Sequence, residues 1–240
     1  MTFSWFDKTW CWIGLFAAAV VLLMLFGGDR LRGDRTRSRW RDPLWLAWLA
    51  PVAYAIHQAE EYGVTLFGTR FAFPDVLCHM LGQPPYPGCT IPTAVFVAVN
   101  IPMIWVLGAV GILGARRYPL MGLGIYGVHA TNALSHIGSM IASQAYNPGV
   151  FTACVIQLPV SIWVAYATVG DRRIGASGLI TLFAAGLLVS GVLLAGLKLF
   201  VAHVISGAAL LWIEALNPVL IVALTWVKAR GGAHAPTMAP

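Results

Sequence analysis

The chain has 240 residues, 59% of them hydrophobic and only 10% charged, with a mean hydropathy of +0.77 and a formal net charge of +6. That balance excludes an ordinary soluble domain, and successive apolar runs of about 20 residues leave no room for a separate soluble module. The basic residues lie in the connections between apolar runs, so the positive charge reads as a membrane-topology signal and not as a nucleic-acid surface.

In chain order, the apolar runs and their breakers predict an all-α polytopic bundle. It has seven spans at about residues 10–27, 43–67, 91–114, 120–142, 150–170, 176–197 and 200–227, within one transmembrane domain over 1–240. The first run, "WCWIGLFAAAVVLLMLF", is followed by "GGDRLRGDRTRSRW" and not by a small-residue cleavage site, so it reads as a retained helix. The next connection carries Arg30, Arg32, Arg35, Arg37, Arg39 and Arg41. With seven spans it shares a side with Arg116, Arg117, Arg172, Arg173, Lys228 and Arg230, leaving only Lys8, Arg70 and Lys198 opposite. The bias predicts an N-terminus outside and a C-terminus in the cytoplasm, in a multi-pass protein of the bacterial cell membrane.

The longest outer connection, "RFAFPDVLCHMLGQPPYPGC", holds Cys78 and Cys89, which on an oxidising face form either a disulfide or two free thiols. His79 there reads as a solvated histidine, and Cys11 and Cys154, inside spans, read as small apolar fillers. "GAVGILG" and "GLGIYG" suit close helix packing, and Trp5, Trp10, Trp12, Trp40, Trp45 and Trp226 suit interfacial aromatic belts. In the last pair of helices "LAGLKLFVAHVISG" has few turn signals, so an interfacial segment around Lys198 to His203 is an alternative to two full spans. The tail "GGAHAPTMAP" reads as flexible, with no role for His234.

Only Glu60, Glu61 and Glu214, of nine acidic residues, fall within spans, where an unpartnered charge costs several kcal/mol. His57, Glu60 and Glu61 stand at i, i+3 and i+4, on one helix face. His129, Asn132 and His136 share a face of the fourth span at similar depth, as judged from ~1.5 Å of rise per residue. Imidazoles and carboxylates converging at one depth form the donor set of a transition-metal site, iron or zinc, with His57, Glu60, Glu61, His129 and His136 as candidate ligands. His57, Glu60 and Glu61 are also the candidate catalytic groups. Asn100 (before Pro102), Asn132, Tyr146 and Asn147 are candidate supporting or substrate-contact residues. Glu214, below His203 on the last span, is a remote carboxylate at a cavity floor or a partner for a cytoplasmic-edge arginine.

"HQAEEY" in one span, with "HATNALSH" and "YNPGVFTA" near another, resembles the HxxEE-domain family of bacterial membrane proteins over about residues 45–170. The resemblance implies a multi-span protein built around His57, Glu60 and Glu61. The helices over about 176–228 read as an extension beyond it.

Three functions follow. The first is a metal-dependent membrane enzyme acting on a lipid-like or otherwise hydrophobic small molecule, either oxidative at iron or hydrolytic at zinc, with Glu60 or Glu61 as base. The second is a metal-free isomerase or cyclase using a His/Glu proton relay. The third is a proton-coupled transporter or channel, against which stands the lack of matching broken helices. Haem held by His57 and His136 ranks below these, as does a retinal pump, since Lys198 and Lys228 lie at helix ends. No oligomeric state follows from the sequence.

Overall fold

A computed structural model describes residues 2–233; His234 and the tail after it lie outside them. The described chain is helical and without strands, 73% helix in eight helices. These are α1 (Trp5–Gly27), α2 (Pro43–Tyr62), α3 (Phe73–Met80), α4 (Ala94–Ala115), α5 (Gly124–Ser143), α6 (Val150–Thr168), α7 (Gly175–Val201) and α8 (Gly207–Leu216, resumed at Val219–Ala233).

Five helices, α1, α4, α6, α7 and α8, are long and apolar enough to cross a membrane, rather than the seven expected. Their lipid-facing surface is rich in exposed Phe16, Leu23, Leu113, Ile162, Ile180 and Trp212, so the molecule is a membrane protein. The two other long helices, α2 and α5, carry the His, Glu and Asn residues, and those polar groups lower their hydropathy. Both are interior. Sixteen of the 20 residues of α2 are buried, and its Leu46, Leu49 and Tyr54 pack with Leu123, Tyr126, Leu182 and Val189 in the main core. Asp42 starts α2 by accepting from the backbone N–H of Leu44 and Trp45, with Pro43 at the first position.

Several boundaries differ from the sequence reading. The second helix ends at Tyr62 instead of near 67, because the Gly63 N–H closes on Ala59 and an antiparallel bridge then joins Val64 to Arg70. The outer connection holds a helix that was not foreseen, α3, and Cys78 at its end is disulfide-bonded to Cys89. The last pair of helices is separated by a short non-helical turn over residues 202–206. α7 continues through Lys198 to Val201, and α8 begins after Ser206, whose hydroxyl caps Ala209. Gly127 of α5 and Gly186 of α7 meet backbone to backbone with no space for a β-carbon, the close packing that "GLGIYG" suggested.

The arginine-bearing connections gather at one end. Arg37 pairs with Asp171 at 2.8 Å, and Asp34, Arg116 and Arg173 line one cleft. At the other end the Leu66 N–H donates to the Tyr146 hydroxyl at 3.3 Å, and Gly207 packs against Pro92.

Candidate metal centre

α2, α5 and the start of α6 meet near the disulfide end. On α2, His57 and Glu61 are one turn apart and face α5, where Asn132 and His136 are also one turn apart. After α5 the chain turns through Gln144, in the left-handed region, and re-enters a helix at Gly149, whose φ is +95°. A β-carbon at 149 would stand 2.8 Å from Cε1 of both His57 and His136 and 2.9 Å from Cγ of Glu61. Only glycine fits there, so the turn lies directly on the cluster. Just beyond, Ala153–Gln157 widens into a π-helical turn that carries Gln157.

His57, Glu61 and His136 are buried, and each offers a ligand atom within 4.8 Å of the others. His136 Nε2 is 3.1 Å from Glu61 Oε1, and His57 Nε2 is 3.5 Å from Glu61 Oε2. The two rings meet edge to face at 4.9 Å. This group could hold a metal ion.

Hydrogen bonds place the protons. Thr152 donates its hydroxyl to Glu60 Oε2 at 2.5 Å, so towards His57 Nδ1, 2.9 Å away, it can only accept. His57 therefore carries its proton on Nδ1 and presents a lone pair at Nε2, to which the Asn132 amide donates at 2.9 Å. The same Asn132 amide reaches Gln157 Oε1 at 3.2 Å. At His136, Nδ1 donates to Asn147 Oδ1 at 2.8 Å, and Asn147 Nδ2 is directed to Ser139 Oγ at 2.9 Å. His136 thus keeps Nδ1 outward and turns Nε2 to Glu61. An ion held by His57, Glu61 and His136 would take the His57 Nε2 lone pair in place of the Asn132 amide. The fixed outer nitrogens are the arrangement that orients histidine ligands.

Glu60 is not in this cluster. Its side chain faces the start of α6, where Oε2 accepts the Thr152 N–H at 2.7 Å and Oε1 accepts the Phe151 N–H at 3.3 Å and the Tyr146 hydroxyl. The Gly149 cap has no side chain for those N–H groups, and Glu60 fills the vacancy from α2. Burial and the bond to Glu60 push the Tyr146 phenol up to about 12, so it stays a donor.

The other candidates separate in the same way. His129 lies two turns below His136, with Nε2 on the Ala50 carbonyl at 3.0 Å, outside the cluster. Asn100 bonds Gln58 at 2.9 Å and Tyr62 at 3.1 Å, an interhelical tie on the far side of α2. Glu214 is buried on α8 beside Gly196 and Asn217, away from His57, Glu61 and His136. Asn132, Tyr146 and Asn147 do touch the site: Asn132 bonds His57, Tyr146 bonds Glu60 and Asn147 bonds His136. Thr152 and Gly149, in "YNPGVFT", and Ser139 join them, a glycine turn followed within one helical turn by a hydroxyl being the available signal for the first two.

Helices fit for a bilayer around a buried two-histidine, one-carboxylate cluster define a membrane protein with a potential metal site. Residues 48–164 match the family model described as "Protein of unknown function with HXXEE motif", and the only H-x-x-E-E pattern in that segment is His57, Glu60 and Glu61. No curated protein and no solved structure matches the chain.

Proposed function

We propose that the protein is a membrane-embedded metalloenzyme whose ion is held by His57 Nε2, His136 Nε2 and a Glu61 oxygen, and whose substrate is a lipid-like molecule. One observation carries the reading: His57, Glu61 and His136 each turn a buried ligand atom to within 4.8 Å of the others, while the outer ring nitrogens are held at Thr152 and Asn147. Two histidines and one glutamate as protein ligands suit zinc or iron and leave positions open for a reactant. Such an ion would supply Lewis acidity or, if iron, redox capacity. The chain's own residues do the rest. Asn132 occupies His57 Nε2 until an ion displaces it, Gly149 keeps the cover over the cluster thin, and Glu60 with Thr152 fixes the His57 tautomer.

An apolar pocket of about 280 Å³ supports the substrate class. It is lined by Trp12, Ile56, Val64, Leu66 and Phe151, with Glu60 and Thr152 on its wall. An apolar molecule entering from the side of the bundle would meet Glu60 and Thr152 here, and Thr152 in turn contacts His57. Seven membrane crossings, with the N-terminus outside, belong to the same reading. The arginine connections at one end and the disulfide at the other support it.

The continuous chain Glu60, Thr152, His57 favours a second reading, a metal-free proton relay between carboxylate and imidazole. Metal analysis of the detergent-purified protein, after loading with Zn(II) or anaerobically with Fe(II), separates the two. The metalloenzyme reading expects about one ion per chain, lost in His57→Ala, Glu61→Gln and His136→Ala. No stoichiometric binding of either ion would sink it.

A further inference from the structure

At the arginine end, two connections far apart in sequence build one pocket of about 750 Å³. Residues 37–41 supply Arg37, Ser38 and Arg41; residues 171–173 supply Asp171, Arg172 and Arg173. The lining holds four guanidinium groups and one carboxylate, a surplus of three positive charges.

That carboxylate is already engaged. Asp171 accepts from Arg37 at 2.8 Å and from the Arg173 backbone at 2.9 Å. Burial alone would raise its carboxyl, but the Arg37 and Arg173 hydrogen bonds and the charge of both arginines together outweigh that and hold it below the ordinary carboxylate range. It stays ionised and pinned, fixing the two connections together. Among the described residues no carboxylate pairs with Arg41 or Arg172, and both are exposed.

The remaining wall is a membrane edge. Tyr166 and Val169, at the end of the apolar helix α6, are 61% and 50% exposed, and the Arg41 guanidinium lies over the Tyr166 ring at 5.7 Å. Ile162 and Trp163 continue this apolar surface along α6 into the span, and Trp163 is tied to the Trp40 carbonyl at 2.8 Å. A ligand here meets a fixed cationic pocket at headgroup level and an open apolar track below it. Guanidinium groups bind phosphate oxygens in pairs, and a phospholipid alone combines that group with tails for the track.

We infer that this pocket binds the phosphate headgroup of an anionic phospholipid, with Arg41 and Arg172 as its principal contacts. The test uses the full chain in mild detergent, titrated with dioleoylphosphatidylglycerol, dioleoylphosphatidylcholine or inorganic phosphate and read by native mass spectrometry. The expected result is preferential retention of the phosphatidylglycerol. Its affinity should fall roughly tenfold or more in the double variant Arg41→Ala/Arg172→Ala. It should change little in Arg30→Ala/Arg117→Ala, which removes equal charge outside the pocket. Equal loss in both double variants would overturn the site in favour of diffuse surface charge. So would retention of the phosphatidylcholine as firmly as the phosphatidylglycerol, or phosphate competing at concentrations comparable to the lipid. Because Arg41 and Arg172 have no ion pair, the variants should keep the parent's melting temperature, which confirms that they fold.

Discussion

Glu60 of α2 and Thr152 of α6 are joined twice: the Glu60 carboxylate accepts both the backbone N–H of Thr152, at 2.7 Å, and its hydroxyl, at 2.5 Å. The first bond caps a helix, and the second sets which nitrogen of His57 carries a proton. A motif glutamate therefore works through its neighbour's geometry instead of through a metal.

Glu60→Gln should thus destabilise without emptying the site. An amide loses the charge that meets the α6 N-terminus and brings a donor towards groups that already donate. The expected loss is about 1–3 kcal/mol, the usual cost of upsetting a buried charged hydrogen-bond acceptor. Thermal denaturation beside metal analysis checks this: a lower melting temperature with retained stoichiometry is expected, whereas loss of the ion would make Glu60 a ligand after all.

Thr152→Val keeps the volume but removes the acceptor for the His57 Nδ1 proton. Loss of a group that orients a histidine ligand weakens metal binding by roughly 10–100-fold. Thr152→Ser should restore most of the affinity, since the hydroxyl returns. Competition with a metal-binding dye measures both, and equal affinity for the valine and serine variants would discard the tautomer argument.

Two glycines give opposite expectations for one substitution. Gly149→Ala places a methyl group against His57, His136 and Glu61 on a backbone with φ +95°, so it should abolish metal binding and lower stability. Gly138, on α5, has nothing within 4 Å of its β-position, and Ala there should stabilise by about 0.5–1 kcal/mol. Melting curves of the two single variants suffice for the comparison.

These contrasts show what was legible in the sequence. The i, i+4 spacing of His57 and Glu61, and the presence of His136 on a second polar helix, were readable because helical periodicity fixes which residues share a face. That Glu60 faces α6 and Glu61 faces α5 was not readable, because i+3 and i+4 look equivalent on a wheel and the outcome depends on how α2 is rotated against α5 and α6. His129 failed for a related reason: its face is shared with His136, but it lies two turns lower, where the Ala50 carbonyl awaits it. The contacts of Gly149 and Thr152 were not readable, since a turn glycine and a helical threonine gain meaning only when the turn folds back over α2. The eight-residue α3 was missed because it is short and preceded by turn-forming residues.

The cysteines allow a direct count. Cys78 and Cys89 are bonded, whereas Cys11 and Cys154 are free, so unreduced denatured protein should yield two reactive thiols and reduced protein four. Reduction should also lower stability, by about 3 kcal/mol for a loop of this size class. Four thiols from protein exported through the cell's own membrane would place that loop on the reducing side and reverse the orientation.

Glu214 gives the last expectation. It is 1% exposed on α8, its Oε2 accepts from Asn217 at 3.3 Å, and Oε1 has no partner. No basic group forms an ion pair with it among the described residues, and a charge so placed in a bilayer is unfavourable. Glutamine preserves the shape and the acceptor that faces Asn217 while removing the possibility of ionisation. Glu214→Gln should therefore leave the melting temperature at neutral pH unchanged or raise it, and leave metal content untouched. Gly196→Ala should do the reverse, because its methyl group would stand 2.7 Å from Glu214 Oε1 in a packed helix contact. A clear fall in melting temperature for Glu214→Gln would mean that the carboxylate is ionised and has a cationic partner, and would give α8 a part in the chemistry.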